Sequence, residues 1–264
     1  MTTEMIPLLL AVLSGGVVAL LLTLFGGGGS VLAVPLLLYV VGVTDPHVAI
    51  GVAAAGVALN ALTALAGHAR AGRVRWPCAT LFAVTGAAGA WVGSSLAKAI
   101  DGHQLLLIFA VAMAAVGVSM LRPRAIVVRP EPRLNWSMSP RIGLAGAGVG
   151  SAAGFFGIGG GFLIVPSLMF STRMPIYYAV GSSLVGVTAF GLTTAFNYAL
   201  DGWVDWPLAA VFIGGGVLGG LVGARLAKAL SGQKGVLNTV FAGLIFVVAF
   251  YMLYRSAGAL GLIG

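Results

Sequence analysis

Charge is what this sequence has least of. Charged residues make up 8% of the 264-residue chain, and only 6 residues are acidic. A soluble domain carries about 25%. Hydrophobic residues reach 59%, and no soluble fold of this length hides that much apolar surface, because much of any folded surface still faces water. The shortage of charge therefore excludes an aqueous environment for most of the chain and leaves a bilayer. A single cysteine, Cys78, excludes an intrachain disulfide. Glu4, Asp45, Asp101, Glu131, Asp201 and Asp205 all fall in expected loops or termini, so no carboxylate sits inside an apolar stretch. Proton and sodium carriers usually keep ionisable groups within their spans. A buried carboxylate relay and a cationic substrate are both disfavoured. His47, His68 and His103 lie near segment ends and read as interface residues. With no metal-ligating cluster and no nucleophile–base pair, neither a metal, a cofactor nor an enzymatic activity is expected.

What is present repeats. Phe25-Gly26-Gly27-Gly28-Gly29-Ser30, followed by an apolar run to Pro35, returns as Phe156-Gly157-Ile158-Gly159-Gly160-Gly161, followed by an apolar run to Pro166, at an offset of 131. After a slip of one residue the offset is 130: Trp76-Pro77 matches Trp206-Pro207, and Leu96-Ala97-Lys98-Ala99 matches Leu226-Ala227-Lys228-Ala229. Internal repeats set the architecture. Each half reads as five helical segments, at 6–25, 30–43, 47–69, 77–98 and 104–121, then 142–156, 162–173, 177–199, 207–230 and 235–254. The last three of each half are long enough, at about 1.5 Å per residue, to cross a core of about 30 Å. Met1 to Phe25 lacks a basic start and is read as a retained first segment. The Trp-Pro pairs place an interfacial ring and a first-turn proline at the head of each fourth segment.

The net charge of +8 is read as topology, without a nucleic-acid partner. Arg70, Arg73 and Arg75 stand in one loop, where the matching loop of the second half holds Asp201 and Asp205. Arg225, Lys228 and Lys234 match a region holding Lys98, Asp101 and His103. Basic loops stay on the cytoplasmic side. Placing 70–75, Arg173, 225–234 and the arginine-rich stretch between the halves inside puts Asp45, Asp101, Asp201, Asp205 and both termini outside. Corresponding loops then lie on opposite faces, so the repeat is inverted. The expected organisation is membrane repeat 1 over 1–121, a basic cytoplasmic linker over 122–141, and membrane repeat 2 over 142–264. The expected fold is all-α and polytopic, in the inner or plasma membrane.

The first two segments of each half are the odd ones. Segments 142–156 and 162–173 reach only roughly 22 Å and 18 Å. Between them, as at 26–30 of the first half, lies a glycine cluster that makes poor helix. Irregular backbone at membrane depth survives only in protein or beside a cavity. Paired short, glycine-broken segments in opposed halves point to a transporter's substrate site. Helices starting near Ser30 and Phe162 would aim unpaired N–H groups and partial positive charge at one place, a preference for an anion. The candidate substrate-binding residues are Gly27, Gly28, Gly29, Ser30, Gly159, Gly160, Gly161 and Phe162. Three polar residues join them. Asn60, at depth, is either a ligand group or an interhelical hydrogen bond. Ser182 and Ser183 are either ligand groups or hydroxyls bonded back to their own helix. Thr188, Thr193 and Thr194 read as structural, and Asn197 lies nearer a helix end. Glycines 86, 89, 93, 214–216, 219, 220 and 223 read as packing positions.

The two Phe-Gly-x-Gly-Gly runs with Pro35 and Pro166, the Ala-Ile-Gly and Ala-Val-Gly starts at Ala49 and Ala179, and the loops ending in Arg75-Trp76 and Asp205-Trp206 are similar to the TauE/SafE sulfite exporter family. The resemblance covers both halves. It implies a secondary transporter, an exporter, of a small sulfur-containing anion such as sulfite or sulfoacetate, working by alternating access. An anion channel on the same scaffold is the alternative. The first tip departs from the usual Gly-Ile-Gly-Gly-Gly at Gly27 and Ser30. The expected partners are the small anion and the lipid bilayer, with homo-oligomerisation left open.

Overall fold

The computed structural model describes residues 2–25, 28–121, 138–229 and 234–259. Gly27 and residues 122–137, most of the expected linker, lie outside the described residues. The described residues form α1 (Thr2–Phe25), a broken segment, and eight further helices. The broken segment joins a 3-10 turn, Gly28–Leu32, to a four-residue α2, Ala33–Leu36, and a π turn, Leu37–Val41. Then come α3 (Pro46–Arg70), α4 (Trp76–Lys98), α5 (Gly102–Leu121), α6 (Ser139–Phe156), α7 (Gly161–Thr172), α8 (Ile176–Leu200), α9 (Trp206–Ala229) and α10 (Lys234–Ala259). Each expected segment has its counterpart. α6 begins inside the stretch read as linker, because Pro140 suits a first helical turn.

The chain is an all-α polytopic membrane protein. Among the described residues, 5 stretches are long and apolar enough to cross a bilayer: Met5–Leu24, Pro46–Arg70, Trp76–Lys98, Ile176–Leu200 and Trp206–Leu226. Gly29–Val41, Gly102–Val118, Leu163–Thr172 and Ala242–Ser256 are shorter apolar helices. Large apolar side chains such as Val84, Leu144, Val247 and Phe250 are exposed on the outside of the bundle, where lipid would cover them. The scarce acids serve helix starts. Asp45 accepts from the His47 N–H, Asp101 from the His103 N–H, and Asp205 from the Leu208 N–H.

The closest helix pairs join the two halves of the chain: α1 with α9, α4 with α6, α3 with α8, and α5 with α10. Glycine makes this possible. A Cβ on Gly15, Gly215 or Gly219 would overlap the carbonyl of Phe212, Val12 or Gly16, so α1 and α9 touch backbone to backbone. Gly89, Gly93, Gly150 and Gly154 stand the same way against Ala147, Ser151, Gly86 and Ala90 in the α4–α6 pair. Lipid tails are as apolar as any side chain, so association in a bilayer depends on such close packing. The contact of Gly89 with Ala147 and that of Gly219 with Gly16 join positions that the sequence repeat equates.

α3 and α8 form the buried centre and run antiparallel. Gly51, early in α3, packs on the Trp203 carbonyl just beyond α8, and Gly181, early in α8, packs on the Arg73 carbonyl just beyond α3. The flanking rings repeat the relation. The Arg73 guanidinium lies 4.8 Å from the Tyr177 ring centre, and the His47 and Trp203 rings stack at 4.6 Å. A polar knot ties α8 to α4 near the latter contact. Lys98 Nζ donates to the Asn197 carbonyl oxygen at 3.2 Å and Oδ1 at 2.9 Å, and pairs with Asp201. Asn197 Nδ2 donates in turn to Ser94 Oγ and Ser95 Oγ.

Two stability outcomes follow from these contacts. Gly150→Val should destabilise the protein by about 1–3 kcal/mol through overpacking, whereas Gly148→Val on the same helix, where a Cβ meets nothing within 4 Å, should be tolerated. Asn197→Leu should cost about 1–3 kcal/mol, because it strands buried donors and acceptors. Thermal unfolding of the detergent-purified protein, followed by size-exclusion chromatography, checks both.

Candidate functional site

The second glycine tip is a tight left-handed turn. Gly157, Gly159 and Gly160 have φ of 65°, 63° and 63°, values that L side chains resist. The turn ends α6 and starts α7 within four residues, with Leu163 and Ile164 donating to the Gly160 carbonyl at 2.8 and 3.0 Å. No side chain caps the start of α7. Gly161 and Phe162 form its first turn, so α7 starts one residue ahead of the sequence expectation. Gly157 to Gly161 are buried. A Cβ on Gly159 would lie 3.0 Å from Val187 Cγ1 and 3.2 Å from Val57 Cγ1. Those valines stand near the middles of α8 and α3, so the tip sits where the two central helices cross.

The first tip differs in form. Its backbone runs as a 3-10 turn from Gly28 through Ser30 to Leu32, and α-helix begins only at Ala33. A regular helix start near Ser30 is therefore corrected to a 3-10 entry. Pro35 explains part of this: it cannot donate to the carbonyl four residues back, and its ring crowds that carbonyl. Gly29 presses on the backbone of Leu21 and Leu22, whereas Gly160, its counterpart in the repeat, faces the Ala153 side chain. Ser30 is fully buried. The Gly28–Leu32 turn packs against α7, the helix that the second tip starts.

The polar candidates separate. Ser182 Oγ accepts from the Arg75 N–H at 2.9 Å and pins the 71–75 loop to the start of α8. Ser183 Oγ donates to the Val180 carbonyl of its own helix. Thr188 and Thr193 bond back in the same way. Asn60 makes neither an interhelical hydrogen bond nor any other side-chain bond: it is 3% exposed, and both its Nδ2 and its Oδ1 lack a partner. It lines a cavity of about 330 Å³ between α1, α3, α8 and α9, together with Thr63, His68 and Arg73. Leu22 belongs both to that cavity and to the wall behind Gly29. Sequence reading did not associate His68 and Arg73 with Asn60. The spacing of 60, 64 and 68 on one helix face was the available signal for His68, while Arg73 arrives through the turn after α3. A larger cavity, about 680 Å³, lies by Tyr39, His103 and Arg255 and contains none of the candidate residues. Among the described residues, no group of three or more His, Cys, Asp or Glu could hold a metal.

The chain was compared with known proteins. The family model for the sulfite exporter TauE/SafE matches residues 11–252. A "Probable membrane transporter protein" of Xylella fastidiosa strain Temecula1 is 50% identical over 254 residues, covering 96% of this chain and 97% of the relative. The protein of the same name in strain 9a5c is 49% identical over the same shares. The "Probable membrane transporter protein YunE" of Bacillus subtilis is 25% identical over 222 residues, covering 76% of this chain and 81% of the relative. No solved structure matches significantly. Members of this family are transporters, not enzymes. The chain belongs to the TauE/SafE sulfite exporter family and is a multi-pass membrane transporter of the inner or plasma membrane.

Proposed function

We propose that the chain exports a small sulfur-containing anion, such as sulfite or sulfoacetate, by alternating access between two inverted repeats, 1–121 and 142–264. The observation that carries this reading is the second glycine tip at the crossing of α3 and α8, with the Gly28–Leu32 turn packed against the helix that follows it. Gly27, Gly28, Gly29 and Ser30 from one side, and Gly159, Gly160, Gly161 and Phe162 from the other, form the anion site. Bare backbone there lets an anion approach peptide N–H groups closely, and the uncapped start of α7 adds partial positive charge. The 3-10 entry of the first tip makes its half of the site the weaker contributor.

The antiparallel α3–α8 pair and the duplicated glycine contacts support the inversion. The charge pattern supports the orientation, with 70–75, Arg173 and the linker at 122–141 on the cytoplasmic face. Sulfur and export both enter from the family match alone. Rocking of one repeat against the other about a fixed midplane site is the motion such folds use.

Flux in proteoliposomes tests the reading. The wild-type protein should carry labelled sulfite or sulfoacetate saturably and show trans-stimulated exchange. Gly160→Trp should abolish flux; since Gly160 has φ of 63° and a Cβ there lies 2.6 Å from Ala153 Cβ, the variant should also lose stability, so flux is normalised to the folded protein recovered from size exclusion. Undiminished flux in that variant would remove the tips from the site, and conductance without exchange would make the protein a channel.

A further inference from the structure

The cavity beside Asn60 has buried aromatic rings at its counterpart positions in the other half. Under the repeat offset of 130, Asn60 corresponds to Phe190, Gly67 to Asn197, His68 to Tyr198 and Arg73 to Trp203. Phe190 and Tyr198 are fully buried, and Asn197 is 2% exposed within the knot with Lys98. Gly216 and Gly86 complete the comparison: a Cβ on Gly216 would meet the Asn60 amide, and one on Gly86 would meet the Phe190 ring. A small amide therefore stands where the other half places an aromatic plug. The open space is a property of these residues.

Three of the polar residues lining that space have unsatisfied atoms, while the Thr23 and Thr63 hydroxyls bond back to their own helices. Asn60 has neither its donor nor its acceptor engaged, and His68 Nδ1 and Arg73 Nε are likewise buried without partners. Buried polar groups nearly always have a partner, so each such exception calls for one. Asn60, Ala64 and His68 recur at a spacing of four and lie on one face of α3. At about 1.5 Å per residue, Asn60 and His68 are roughly 12 Å apart. The cavity is thus basic at the end near Arg73, amide-lined at depth, and walled between by Ala19, Leu22, Leu184 and Leu221. The Tyr177 ring holds the Arg73 guanidinium in place.

We infer that this cavity binds the anion on its way to or from the glycine tips, and that it selects monovalent oxyanions with a short apolar body over divalent ones. Arg73 draws the anion to the basic end, where the His68 imidazole offers a ring N–H. The Asn60 Nδ2 donates to an oxygen of its head group at depth. A neutral amide is the deep donor, with no fixed cation beside it, and the cost of desolvating an ion climbs steeply with its charge. A monoanion is therefore favoured over a dianion, so sulfite enters as hydrogensulfite, and sulfoacetate, a dianion at neutral pH, is the poorer of the two proposed substrates. The volume of about 330 Å³ exceeds a bare head group, since one water occupies only about 30 Å³ in the liquid. The remaining apolar wall fits a few carbons. This inference rests on the transport reading above and locates an access site within it.

Equilibrium binding to the full chain in detergent is the test, with ethanesulfonate as the monoanion and sulfate as the dianion. Ethanesulfonate should bind the wild type at least tenfold more tightly than sulfate. Asn60→Leu should weaken its binding at least tenfold, and Arg73→Gln should weaken it and flatten its salt dependence. As a second measure independent of the Asn60 variant's folding, Thr63→Cys in a Cys78→Ala background should react with an anionic methanethiosulfonate reagent, and ethanesulfonate should slow that reaction several-fold. Equal affinities for the two anions would overturn the charge selection. Unchanged binding in Asn60→Leu, or labelling that ethanesulfonate does not slow, would overturn the site while leaving wild-type flux, and with it the transport reading, intact. Neither binding nor flux of any anion by the wild type would overturn both.

Discussion

Backbone-to-backbone contact between helices is the constraint on which the rest of this structure depends. A bilayer offers no hydrophobic reward for bringing apolar helices together, so affinity must come from close packing. Gly15, Gly215 and Gly219 in one pair, and Gly89, Gly93, Gly150 and Gly154 in the other, supply it by removing the side chains that would hold the helices apart. Because these pairs join α1 to α9 and α4 to α6, neither half of the chain packs by itself. The central α3–α8 pair is held between them, and the tips are held against that pair.

Glycine has a second use at the tips. At Gly157, Gly159 and Gly160 it permits the positive φ that turns α6 back into α7 inside the bundle. Such backbone is stable at depth only because α3 and α8 enclose it. The two uses are easily confused in composition, since glycine accounts for 41 residues of the chain, but they differ in place: packing glycines lie within helices, and tip glycines lie between them.

The two halves are similar without being equal. Polar residues concentrate differently near the two ends of the α3–α8 pair. One end carries the Lys98, Asn197 and Asp201 knot and the buried Tyr198 ring beside the half-buried ring of Trp203. The other carries Asn60, His68 and Arg73 around open space.

Much of the fold was legible in the residues. Hydrophobic run lengths, the Trp-Pro pairs and the glycine clusters placed every segment within a few residues, because each is a local consequence of solvent, helix rise or backbone freedom. The repeat and the basic loops predict an inverted pair of halves, and the antiparallel run of α3 and α8 is compatible with that expectation. Side-chain partners were another matter. Ser182 was weighed as a ligand or as bonded to its own helix, yet it accepts from Arg75, 107 residues away. Ser183 does bond to its own helix. Asn60 and Asn197 look alike in sequence, one left without a partner beside a cavity and the other holding Lys98. The sequence by itself determined a membrane protein of repeated, glycine-interrupted helices, since composition and periodicity are read by the bilayer segment by segment. Only the tertiary structure decided which amide is satisfied and which faces a cavity, because that depends on which helix arrives opposite it.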